Sequence, residues 1–257
     1  MLLAMDVGNT QTVLGLFSGT DLVRDWRIRT IPDGTADEYG ALIRDLCSEE
    51  IGREQGLSGM VVASVVPSLD IVVREMAQSY LHIQPVFITS ENLPGLTVLY
   101  HEPRDVGADR VVNAVAALEE YAPPLIIVDF GTAITFDVIN EKGEYVGGAI
   151  SPGIGISMKA LFENAAKLQS VDLVLPPSPV GSSTMESIQS GLLYGYASLV
   201  EGMVKRITQT MERPPRIIAT GGYAALMAGI YPGFDAVDMN LTLKGLRIAY
   251  HRIRERT

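Results

Sequence analysis

The sequence predicts an α/β fold built from two similar units. Three observations carry this. Residues 2–22 and 125–145 repeat one pattern, apolar runs of strand length alternate with stripes at helical spacing, and turn residues separate the two. In each repeat a short apolar run leads to Asp-x-Gly, at Asp6–Gly8 and at Asp129–Gly131. A β-rich run follows, Thr12–Phe17 or Thr135–Ile139. Each repeat then turns, at Ser18-Gly19-Thr20 or Glu141-Lys142-Gly143, into a third strand near Leu22–Arg29 or Tyr145–Ile150. The pattern reads as a meander of hairpins opening each unit.

Helices are expected after both meanders. Thr35 and Glu38 form a capping box ahead of Tyr39, Leu42, Ile43 and Leu46. Val61–Val66 reads as a strand, and Leu69, Val72, Val73 and Met76 as a helical stripe behind Pro67. Val86–Thr89 reads as a strand and Asp105–Tyr121 as a helix. In the second half Ser183 and Glu186 form another capping box, opening a helix that extends toward Met211. Arg216–Ala219 is a short strand, and Leu243, Leu246, Ala249, Tyr250 and Ile253 lie on a closing amphipathic helix. The expected domains are 1–120 and 121–257, divided near Pro123-Pro124, with a cleft between them.

The chain has 257 residues, enough for two domains of ordinary size, and 47% are hydrophobic. A net charge of −10 disfavours nucleic acid, whose binding relies on Lys and Arg neutralising phosphates. The lone Cys47 sits in an apolar-periodic stretch and reads as a small buried hydrophobe. Three scattered histidines give no zinc spacing. The N-terminus lacks the basic and apolar regions of a signal peptide, and no run is long enough to span a bilayer. The expectation is a cytoplasmic protein with neither membrane nor nucleic-acid partner.

Asp6-Val7-Gly8-Asn9-Thr10 directly follows a strand. Gly8 allows a turn and lets backbone N–H groups approach a ligand. Asn9, Thr10 and Thr12 can donate to phosphate oxygens, and Asp6 can hold Mg²⁺ through water. The second loop offers Asp129 to a cation and Thr132 to a phosphate. Either loop alone would also serve as a plain hairpin turn, and it is their duplication that points to phosphate. Neither contains Lys or Arg, so bound phosphate would need metal ions and backbone amides. No Gly-x-x-x-x-Gly-Lys-Ser/Thr occurs, which sets aside a P-loop enzyme.

Gly107-Ala108-Asp109-Arg110 stands at a helix start, where anions are favoured. Asp109 is a candidate general base, and Arg110 can meet a phosphoryl group; a paired Asp and Arg at a helix N-terminus is the plainer alternative. Ala219–Tyr223, Gly147-Gly148 and Ser151–Gly155 could let a nucleotide approach the backbone or could be ordinary turns.

The two loops together resemble the phosphate loops of the acetate and sugar kinase, Hsp70 and actin superfamily. With Gly107–Arg110 between them, the chain looks like a type III pantothenate kinase along essentially its whole length. The resemblance implies ATP-dependent phosphorylation of pantothenate, the first step of coenzyme A biosynthesis. It also implies two RNase H-like domains and a homodimer. It carries ATP contacts to Asp6, Val7, Gly8, Asn9, Thr10, Gln11, Thr12, Val13 and Thr132. Substrate contacts fall on Tyr100, Gly107, Ala108, Asp109, Arg110 and Thr184, with Asp109 as proton acceptor. Asp129 matches the ligand of K⁺ or NH₄⁺. The competing readings are a kinase acting on another small alcohol and a transcriptional accessory or regulatory module of the same fold.

Overall fold

The computed structural model describes residues 1–53, 56–165 and 171–256. It contains two five-stranded sheets with one topology. The first comprises β1 (Leu2–Val7), β2 (Gln11–Ser18), β3 (Asp21–Arg29), β4 (Gly59–Ser64) and β5 (Val86–Phe87), in the order β3-β2-β1-β4-β5. The second comprises β6 (Leu125–Phe130), β7 (Ala133–Ile139), β8 (Tyr145–Pro152), β9 (Arg216–Thr220) and β10 (Ala236–Val237), in the order β8-β7-β6-β9-β10. In both, the first three strands form an antiparallel meander, and the fourth pairs parallel to the first. This is the RNase H-like arrangement expected from the resemblance.

The repeat extends to its irregularities. The β2–β3 ladder shifts between Leu16 and Phe17, and the β7–β8 ladder shifts between Val138 and Ile139. The skipped residues are Val23 and Val146, which hold equivalent places in the two repeats.

In the first unit, β1, β2 and β4 turn Leu3, Met5, Val7, Leu14, Leu16, Met60 and Val62 to one face. There they meet α1 (Ala36–Arg53) and α2 (Pro67–Met76) through Tyr39, Ile43, Cys47, Leu69, Val73 and Met76. Thr35 caps α1 as expected: Glu38 N–H donates to its hydroxyl at 3.2 Å, and Thr35 N–H donates to the Glu38 carboxylate at 2.8 Å. Cys47 is fully buried, and burial pushes its thiol up to about 12, which makes it an inert core residue.

The opposite face is covered by α3 (Ala108–Glu120) and α7 (Leu241–Arg254). The division after Glu120 falls where the sequence reading places it, but the C-terminal segment groups with the first unit and not with the second. The units are Met1–Glu120 together with Asn240–Thr257, and Tyr121–Met239. The physical reason is close helix packing. A Cβ on Gly245 of α7 would lie 2.0 Å from the Val112 carbonyl of α3. Glycines on the sheet receive α7 as well: a Cβ on Gly15 would meet Leu243, and one on Gly59 would meet Tyr250.

In the second unit, Ile126, Val128, Phe130, Ile134 and Phe136 pack under α4 (Ile154–Asn164), α5 (Thr184–Thr208) and α6 (Ala224–Ala228). The second capping box is displaced by one residue. Ser183 accepts from Glu186 N–H at 3.2 Å, but the Glu186 carboxylate turns to Ser182.

Candidate active site

The first loop is held from behind. Gly8 N–H donates to the Gln11 carbonyl at 3.1 Å and closes the turn between β1 and β2. The Thr30 hydroxyl donates to the Gly8 carbonyl at 2.7 Å, and Thr30 N–H donates to the Thr10 carbonyl at 3.1 Å. Its proton thus committed, Thr30 accepts from the Thr12 hydroxyl at 2.9 Å. Thr12 is fully buried. It braces the loop and does not present its hydroxyl to a phosphate, contrary to the sequence expectation. Val7 likewise buries its side chain and leaves only its backbone. Asn9, Thr10 and Gln11 are exposed, with Asp6, Gly8 and Val13 partly so. The loop therefore presents amides and short polar groups above one carboxylate.

The end of β4 joins this loop to α3. Val65 N–H donates to the Val7 carbonyl at 3.0 Å, and the Val65 side chain stands 3.5 Å from where a Gly107 Cβ would be. Asp109 lies in the first turn of α3, and its Oδ1 accepts the Arg110 N–H at 2.9 Å. The carboxylate folds back over Gly107, where a Cβ would sit only 2.4 Å from Oδ1. Burial pushes the Asp109 carboxyl above its ordinary value, against the opposing pull of the Arg110 N–H, the Arg110 guanidinium and its own N–H. A carboxylate raised in this way is a better base near neutrality.

The second loop repeats the first with one residue fewer. Gly131 N–H donates to the Ala133 carbonyl at 3.0 Å. Gly153, the counterpart of Thr30, donates its N–H to the Thr132 carbonyl at 3.0 Å. A Cβ on Gly153 would fall 2.2 Å from that carbonyl oxygen, so the start of α4 seats directly on the loop. Gly221 closes the other side at φ +89, with its Cβ position 2.3 Å from Asp129 Oδ1 and 2.6 Å from Phe130 N. Gly153 and Gly221, which in sequence read equally as turn or site, both pack on the loop that carries Asp129. Asp129 is partly exposed, and Thr132 is exposed at the tip.

Each loop contributes one carboxylate, and no group of three or more His, Cys, Asp or Glu suited to a metal occurs among the described residues. A divalent ion at such a site takes most of its ligands from phosphate and water, which is how Mg²⁺ accompanies a nucleotide.

Comparison with known proteins shows the family. A family model described as type III pantothenate kinase matches residues 2–206. A type III pantothenate kinase from Anaeromyxobacter sp. (strain K) is 50% identical over 254 residues, covering 99% of this chain and all of the relative. The protein of that name from Geobacter sulfurreducens is 47% identical over 256 residues, covering 99% of this chain and 100% of the relative. The chain belongs to the type III pantothenate kinase family.

It is thus an enzyme of the kinase class, one that uses ATP to phosphorylate pantothenate in coenzyme A biosynthesis. Solved structures of low identity match in fold alone. The activator of 2-hydroxyisocaproyl-CoA dehydratase from Clostridium difficile, solved with ADPNP, aligns at TM-score 0.59 and 14% identity, covering 99% of this chain and 96% of that one. A Campylobacter jejuni protein described as a Baf family transcriptional activator aligns at TM-score 0.63 and 18% identity, over 99% and 98% of the two chains.

Within this pantothenate kinase, Asp6, Gly107, Ala108, Asp109 and Arg110 gather in the first unit. Tyr100 is exposed on the loop leading into α3 of the same unit. Asp129, Thr132 and the exposed Thr184, first residue of α5, belong to the second. No helix among the described residues is long and apolar enough to cross a membrane.

Proposed function

We propose that Asp109 accepts the proton of the pantothenate primary hydroxyl as that oxygen attacks the γ-phosphorus of ATP. The observation that carries this reading is the Asp109 carboxylate itself. It is raised by burial, fixed by the Arg110 N–H over Gly107, and tied through Val65 to the end of β1. Gly107, Ala108, Arg110, Tyr100 and Thr184 contact pantothenate in this reading. Asp6, Gly8, Asn9, Thr10, Gln11 and Thr132 contact ATP, Val7 and Val13 through backbone, and Thr12 by bracing the loop.

Asp6 would hold Mg²⁺ through water, and Asp129 would hold K⁺ or NH₄⁺. Bound there, such cations would supply positive charge against the transferring phosphoryl group, in catalysis that is largely positioning and electrostatics. The loops lack any basic residue, which supports the cation requirement. The working unit is a cytoplasmic homodimer, in which α5 is the candidate contact element by position. A coupled ATPase assay with and without pantothenate tests the reading. Turnover that ignores pantothenate, or its absence in both, overturns it.

A further inference from the structure

The two aspartates occupy matching places but have unlike neighbours. In the first sheet Asp6 faces Val13 across β2 and Ala63 across β4. In the second, Asp129 faces Thr135 across β7 and Thr220 across β9. Residues in such register share one face of the sheet, with cross-strand Cβ atoms roughly 5 Å apart. Asp6 is therefore flanked by two apolar side chains and Asp129 by two hydroxyls.

The Thr135 hydroxyl is set up as an acceptor. Thr135 donates its only proton to Asp137 Oδ2 at 3.0 Å, and Asp137 Oδ1 also accepts the Tyr145 hydroxyl at 2.8 Å. Asp137 is 0% exposed, so this arrangement is locked in the interior. The Thr135 oxygen is left with lone pairs alone to offer. Thr220 is 1% exposed, so its hydroxyl is held in the interior beside Asp129. Gly221 presses the Asp129 carboxylate from the β9 side, next to Thr220.

From this row we infer that Thr135 and Thr220 complete an oxygen shell with Asp129 for a directly bound monovalent cation, and that Asp137 is a positioning residue for Thr135. The inference rests on the proposed cation role of Asp129. The chemistry distinguishes the two sites. Mg²⁺ sheds its water reluctantly and needs only a carboxylate beside the phosphates, which suits Asp6 between Val13 and Ala63. A weakly hydrated monovalent ion exchanges its water for protein oxygens, which suits Asp129 between two hydroxyls.

The test follows the melting temperature of the full chain while KCl replaces choline chloride at constant ionic strength, alongside kinase activity over the same series. Wild type is expected to gain stability with K⁺. Thr220→Val and Thr135→Val each remove one oxygen at nearly constant volume and should raise the K⁺ midpoint by about tenfold or more, while Thr220→Ser keeps it within about twofold. Asp129→Asn should remove the response. If Asp129→Asn removes it and both Val variants keep the wild-type midpoint, the hydroxyl shell is wrong and the Asp129 reading stands. If wild type itself gives no K⁺ response, both fail.

Discussion

Substituting Gly107 by Ala separates catalysis from folding. The new Cβ would lie 2.4 Å from Asp109 Oδ1 and 3.5 Å from Val65. Only the first contact is impossible, and it involves the mobile end of a side chain. To reach ordinary contact the carboxylate must retreat by about 1 Å, a misplacement that can cost about 10²-fold in rate. Retreat also weakens the 2.9 Å bond from the Arg110 N–H. That bond contributes about 0.5–1.5 kcal/mol net. Gly107 has no positive φ, so Ala fits its backbone and recovers about 0.4–1 kcal/mol by restricting the unfolded chain. The two stability terms nearly cancel, and at about 2–4 °C per kcal/mol the melting temperature should move by only a few degrees. Steady-state kinetics with pantothenate and ATP, beside a thermal melt, give both readouts. A variant whose kcat stays within about threefold of wild type, where about 10²-fold is expected, would refute the placement of Asp109 over Gly107.

Gly221→Ala should behave differently. Its Cβ meets backbone atoms of Phe130 at 2.6 and 2.7 Å as well as Asp129, at a φ of +89. Gly19 is also left-handed, at φ +60, so that strain is shared by Gly19→Ala. Overpacking costs Gly221→Ala about 1–3 kcal/mol more, and its melting temperature should fall below that of Gly19→Ala, where a Cβ meets nothing within 4 Å. Equal melts for the two variants would count against the seating of Gly221 on the second loop. The acid limb of kcat/KM should lie above the ordinary aspartate value of about 3.9, because burial raises Asp109 and only its carboxylate accepts a proton. The same shift fixes a sign for stability. Folded Asp109 binds its proton more tightly than the unfolded residue, so its charge costs stability above its raised pKa. Asp109→Asn should therefore melt at or above wild type at neutral pH, and the difference should shrink on acidification as wild-type Asp109 takes up its proton; the reverse trend in a pH series of melts would contradict it.

Much of this architecture is legible in the chain because it is local. The Asp-x-Gly turns, the meanders and the Thr35 cap depend on neighbours in sequence, and they fold where the sequence places them. Features set by distant partners are not legible. Thr12 looks like a phosphate donor until Thr30 is folded against it. The closing helix looks like part of the second unit until Gly245 meets Val112. Glu186 follows the capping-box spacing, yet its carboxylate finds Ser182 before Ser183. Thr135 and Thr220 carry no motif, and their place beside Asp129 emerges only from strand register. Gly153 and Gly221 share with Gly8 a position immediately after a strand, a local signal that the sequence does carry.

The most direct test of the account is single-turnover phosphorylation of pantothenate by wild type and Asp109→Asn, with melting temperature measured on the same samples. A positioned base contributes about 10²–10⁴-fold, so the variant should lose at least about 10²-fold in rate while remaining folded. A folded variant keeping more than about a tenth of the wild-type rate would contradict the assignment of Asp109 as the proton acceptor.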